Sequence, residues 1–102
     1  MNSNSKSKCY THDNGTKIWI LNGKYHRENG PAIDQFDGYK AWYFHGKWHR
    51  EDGPARVWPD GICYWYINGY EYYPEESVKS PELLLEYPKL IESMIIYLVH
   101  NS

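Results

Sequence analysis

The heptapeptide His26-Arg27-Glu28-Asn29-Gly30-Pro31-Ala32 returns 23 residues later as His49-Arg50-Glu51-Asp52-Gly53-Pro54-Ala55. The same spacing runs outward from it in both directions. Gly15, Gly38 and Gly61 keep it, as do Trp19, Trp42 and Trp65, and Gly23, Gly46 and Gly69. Several independent registers at one period are the mark of a repeat architecture, in which each unit is one supersecondary element too small to bury its own apolar face.

Each unit reads as a hairpin. Asn14-Gly15, Asp37-Gly38 and Asp60-Gly61 are strong turn signals, because Asn or Asp followed by Gly accepts the positive φ of a type I′ turn. Alternating runs follow at 16–21, 39–44 and 62–67, in which Trp19 and Leu21, Trp42 and Phe44, and Trp65 and Ile67 share one face. A second turn is expected at Asn22-Gly23, His45-Gly46 and Asn68-Gly69. Beyond it, Gly30-Pro31 and Gly53-Pro54 open the strands 32–36 and 55–58, since Pro lacks an N–H and suits a strand's first residue. Residues 9–13 fall in register with those two strands and start the sheet as a half-unit. The Trp face is the expected shared core.

The third unit departs from the pattern. Where the first two have His-Arg-Glu it has Tyr72-Tyr73-Pro74, and the Gly-Pro-Ala strand never comes. Ser80-Pro81 instead reads as an N-cap with Pro at the first helical position. Leu83, Tyr87, Ile91, Met94 and Leu98 then recur at helical spacing, split by Pro88 into Pro81–Glu86 and Pro88–His100. The expected architecture is mainly β: a meander of stacked antiparallel β-hairpins over 9–73, closed by an α-helical C-terminal cap over 74–102, after a disordered 1–8.

The repeat resembles the MORN repeat. More closely, Asp37-Gly38-Tyr39-Lys40-Ala41-Trp42-Tyr43, Gly46-Lys47 and the string 49–55 resemble a MORN-like variant found in small proteins of phages and giant viruses. The resemblance covers 13–73. It implies stacked β-hairpins and contacts with protein or lipid, it carries no catalytic residues, and it makes the partner a host protein.

Composition and charge narrow the function. Aromatics are 18% of the chain, with Tyr 11, Trp 5 and Phe only 2. The net charge is -2, too little field to gather nucleic acid. The longest apolar stretch, 90–99, is interrupted by Glu92 and falls short of the roughly 20 residues that span a bilayer. Two cysteines, Cys9 and Cys63, with no apolar leader at the start, point to reduced thiols and a cytoplasmic protein.

His26 with Glu28, and His49 with Glu51, are the clusters with acid–base or metal-binding chemistry. They recur with the turn they flank, whereas an active site needs a unique constellation, so a structural role is expected and neither a metal nor another cofactor. Tyr39, Tyr43, Tyr64, Tyr66, Tyr72 and Tyr73 are the candidate partner-binding stripe, because Tyr gives large contact area at small entropic cost. Leu90, Ile91, Met94, Ile95 and Leu98 are the candidate contacts of a homodimer through the last helix, whose apolar residues exceed one face. The expected function is therefore a non-enzymatic protein-interaction module that binds a host protein stoichiometrically, with inhibition of a host-defence enzyme, as anti-CRISPR proteins do, as one form. A carbohydrate- or lipid-head-group-binding module is the alternative, and a metal-dependent hydrolase using His26 or His49 a distant third.

Overall fold

Asn22, His45 and Asn68 have φ of 53°, 51° and 51°, each followed by a glycine that also has positive φ. These are the type I′ turns of the chain, and they link the two strands of each unit's hairpin. The turns at Gly15, Gly38 and Gly61 differ from the expected type I′, because only the glycine is left-handed there. Gly15 N–H bonds to the His12 carbonyl while His12 N–H bonds to that of Thr16, the pattern of a three-residue loop ending in a glycine bulge. The Asn or Asp before each glycine stays right-handed and accepts the N–H two residues on: Thr16 at 2.9 Å, Tyr39 at 3.1 Å and Ile62 at 3.0 Å.

The structure, a computed structural model, describes residues 6–102. Five of the eight residues expected to be disordered, 1–5, lie outside it. The last of the eight, Lys8, opens the first strand, and Ser7 donates to the His26 carbonyl. The strands are β1 Lys8–Thr11, β2 Lys17–Leu21, β3 Lys24–Tyr25, β4 Ile33–Asp34, β5 Lys40–Ala41, β6 Tyr43–Phe44, β7 Lys47–Trp48, β8 Arg56–Val57, β9 Cys63–Ile67 and β10 Tyr70–Tyr72. Three helices follow, α1 Pro74–Ser77, α2 Pro81–Glu86 and α3 Pro88–His100. The chain is a mainly β antiparallel meander with a helical C-terminus.

The sheet runs β1-β2-β4-β5-β8-β9-β10, with β3 also on β2 and β6 paired with β7. Backbone bonds complete the stack across units: Gly46 N–H to the Tyr25 carbonyl at 2.8 Å, and Gly69 N–H to that of Trp48 at 2.8 Å. Between β3 and β4, and again between β7 and β8, the repeated heptapeptide leaves the sheet. Each excursion turns its Arg back over the Trp of its own unit. The guanidinium carbon of Arg27 sits 3.7 Å from the Trp19 ring centroid, and that of Arg50 sits 3.9 Å from the Trp42 centroid. Glycine lets the guanidinium close in, because a Cβ on Gly53 would fall 2.7 Å from the Arg50 guanidinium carbon and push it aside.

The expected core of three equivalent tryptophans is therefore corrected. Trp19 and Trp42 remain half-buried under arginines, and only Trp65, 3% exposed, joins an apolar core. It packs with Ile67, Leu90, Ile91 and Met94, edge-on to Tyr97 at 4.9 Å, and its indole N–H donates to Ser93 Oγ at 3.2 Å. The reason lies in the third unit, where Tyr73 stands at the Arg position and α3 takes the arginine's place. Leu90, Ile91 and Met94, expected at a dimer contact, are spent on this internal packing, and Leu98 is half-buried; Ile95 faces out. Among the described residues no helix is long and apolar enough to cross a membrane.

Candidate functional site

Period-two alternation sends Tyr64 and Tyr66 to the side of β9 opposite Trp65. Strand register carries that side across the sheet, since Tyr64 pairs with Arg56, Arg56 with Ala41, and Tyr43 with Trp48. The helices cover the Trp65 side, so this side stays open, and the molecule is only 19 Å thick. Its aromatic rings form two connected chains. Tyr25, Tyr43, Trp48 and Tyr66 follow one another with centroid separations of 5.0, 5.8 and 5.0 Å. Tyr39, Trp58 and Tyr64 follow at 4.8 and 5.6 Å.

Arg56 joins the two chains. Its guanidinium carbon lies 4.3 Å from the Trp48 centroid and 4.8 Å from that of Trp58, and its Nε donates to Tyr39 Oη at 3.1 Å. Burial weakens its hold on the proton, but the hydroxyls of Tyr39 and Tyr66 outweigh that and raise its pKa above the ordinary arginine value. Burial, then the neighbouring Tyr39, raises the Tyr43 hydroxyl as well, keeping it a neutral donor. Among the described residues no carboxylate forms an ion pair with Arg56. The face thus presents a fixed cation inside an aromatic frame.

Of the six tyrosines expected in one stripe, the structure brings together Tyr39, Tyr43, Tyr64 and Tyr66, the last of them buried. Tyr72 is corrected to the opposite face: it pairs with Trp65 and packs on the apolar core. Tyr73 is exposed just beyond the sheet, its hydroxyl 3.5 Å from Glu71. Tyr25, Trp48, Trp58 and Arg56 were not in the expected set. The signal for them was the cross-strand register, which brings the short return strands against the long ones.

The repeated His-Arg-Glu segments lie on the other face. His26 is 1% exposed, and its Nδ1 accepts the His45 N–H at 2.9 Å; His49 does the same for Asn68 at 3.0 Å. Those bonds place the ring proton of each neutral imidazole on Nε2. His49 Nε2 lies 3.0 Å from Glu51, and His26 Nε2 lies 3.7 Å from Glu28. Both histidines thus hold the turn of the next unit, one structural task performed twice. Residues 27–30, 49–52 and 86–89 line an open cleft of about 1090 Å³ floored by Trp42 and Phe44. Among the described residues no three of His, Cys, Asp and Glu gather into a group able to hold a metal ion.

The chain matches no known protein family, no curated protein and no solved structure.

Proposed function

We propose that the chain is a protein-binding module that takes its partner on the open aromatic face, with Arg56 receiving a carboxylate of that partner. The observation that carries this reading is Arg56, framed by Trp48, Trp58 and Tyr39 and without an acidic partner among the described residues. Trp, Tyr and Arg are the residue types that dominate interface energetics, and they do so best when clustered and desolvated. A cation already half out of water, held by ring faces and hydroxyls, loses little on docking and gains a charge-assisted bond. The resemblance of 13–73 to MORN-like repeats of phage and giant-virus proteins adds that the partner is a host protein, occupied stoichiometrically, with a defence enzyme as one such target.

Affinity capture with the parent chain and with Arg56→Glu tests this. One protein recovered at fixed stoichiometry by the parent, and lost with Arg56→Glu in a variant that still folds, is the expected result. Binding to arrayed glycans that survives Arg56→Glu would instead favour the sugar-binding alternative.

A further inference from the structure

The sequence holds four Asn-Gly pairs, Asn14-Gly15, Asn22-Gly23, Asn29-Gly30 and Asn68-Gly69. In such a pair the glycine's backbone nitrogen can reach the asparagine side-chain carbonyl, unhindered by a Cβ. The fold disarms three of the four. Asn14 Oδ1 is occupied by the Thr16 N–H, and Gly15 N–H is bound to the His12 carbonyl. Gly69 N–H is bound to the Trp48 carbonyl. Asn22 and Asn68 have φ of 53° and 51°, and the left-handed ψ that goes with it turns the glycine nitrogen away from the side chain. Asn29 escapes all of these restraints. It is exposed, its φ is not positive, and among the described residues neither its amide nor the Gly30 N–H makes a hydrogen bond. Arg27 stands over this site, its guanidinium carbon 3.0 Å from where a Gly30 Cβ would lie, and a cation there favours the nitrogen anion that attacks.

We infer that Asn29 is a deamidation site whose product carboxylate closes onto Arg27. The Gly30 nitrogen gives its proton to solvent base and bonds to Asn29 Cγ. The side-chain nitrogen leaves as ammonia, and a five-membered succinimide ring remains. Water then opens the ring at either carbonyl, giving aspartate or isoaspartate, so that one water is consumed and one ammonia released. The second repeat shows what the aspartate does. Asp52 stands at the equivalent position, and Arg50 Nε donates to its Oδ1 at 2.9 Å. The two excursions are otherwise alike, since Arg27 and Arg50 each lie over a Trp and each donates to a Pro carbonyl, at 3.1 and 3.0 Å. Of the two arginines, Arg27 lacks an acid among the described residues. The neighbouring acid is no obstacle, because Glu28 turns to His26 as Glu51 turns to His49, beside an Asp52 already in place. The first repeat thus acquires by slow chemistry the ion pair that the second has by sequence, and the cleft lined by 27–30 loses its open guanidinium. The site uses no residue of the aromatic face, so it stands or falls separately from the partner-binding reading.

Storage of the intact chain at mildly alkaline pH, followed by peptide mapping with mass spectrometry, tests the site. Asn29 is expected to convert to acid several-fold faster than Asn14, Asn22 or Asn68. In urea, where the fold no longer restrains them, the four rates are expected to converge. Conversion of Asn29 no faster than that of the other three in the folded chain overturns the proposal, and a lead that persists in urea overturns the fold as its cause. Asn29→Asp, made directly, tests the pairing. It is expected to raise the thermal midpoint by about 1–4 °C, the range of a partly exposed ion pair in a domain of this size, and to leave it unchanged in an Arg27→Gln background. An equal rise in both backgrounds, or none in the parent, overturns the closure onto Arg27.

Discussion

His26 Nδ1 accepts the backbone N–H of His45 at 2.9 Å, and this one bond ties the first repeat unit to the turn of the second. His45 holds a φ of 51°, an uncommon conformation for a residue with a side chain, so the bond fastens a turn that needs support. A proton on Nδ1 would abolish the acceptor and face the N–H directly.

Stability should therefore fall in acid. Burial, followed by the neighbouring His45, lowers the His26 pKa below its ordinary value, and Glu28 offsets this only in part. The unfolded chain, with His26 near about 6.5, then binds the proton first. The contribution is complete above that value and is lost as pH falls through it toward the lower folded pKa. Thermal melts at about pH 7.5 and about pH 5 are expected to show the loss, and His26→Gln, which keeps an acceptor but does not titrate, is expected to reduce it.

The three repeated tryptophans should differ sharply. Trp65→Ala empties an apolar core and is expected to cost about 3–5 kcal/mol. Trp19→Ala and Trp42→Ala remove a half-buried ring and one arginine contact, and are expected to cost about 1–2 kcal/mol each. Urea unfolding of the three variants ranks them directly.

Gly53→Ala probes the arginine cover. The new methyl would displace the Arg50 guanidinium from Trp42 and break its 3.0 Å bond to the Pro54 carbonyl, for an expected loss of about 1 kcal/mol. Gly53 lacks the positive φ that penalises alanine. In an Arg50→Ala background the same change is therefore expected to be neutral or slightly stabilising, because it narrows the unfolded ensemble. A double-mutant cycle by urea unfolding measures the difference.

Ser80 starts α2 by accepting the Leu83 N–H at 3.2 Å. Ser80→Ala is expected to cost about 1 kcal/mol, and Ser80→Asp is expected to hold the parent value. Loss of the cap should lower the unfolding midpoint without altering the far-ultraviolet spectrum of the folded state.

The repeat and its strands were legible because glycine turns and period-two alternation are local properties. Helices α2 and α3 were legible too, from Ser80-Pro81, Pro88 and the spacing of Leu83, Tyr87, Ile91 and Met94, whereas the short α1 was not singled out within the helical cap. Two things were hidden. The burial of each tryptophan depends on what lies over it, and nothing local distinguishes Trp42 under Arg50 from Trp65 under α3. The aromatic face depends on cross-strand register, which places Arg56 beside Tyr64 and Trp48 beside Tyr43 from strands only two residues long. The string 26–32 gave no sign that its arginine folds backward, because that contact is set by the excursion's path and not by its residue types.

The position of the apolar core around Trp65 has a consequence for how the protein comes into being. Trp65 and Ile67 belong to the last long strand, and the residues that cover them, Leu90, Ile91 and Met94, are made after every strand of the sheet. The early hairpins leave the ribosome with arginines and alanines as cover, and a hairpin alone is marginal in water. The repeat array consequently waits, partly formed, for a helix made after all of its strands. Synthesis halted before α3 would release a chain with its aromatic rings displayed and nothing to anchor the stack, which makes the emergence of α3 the step that commits this fold.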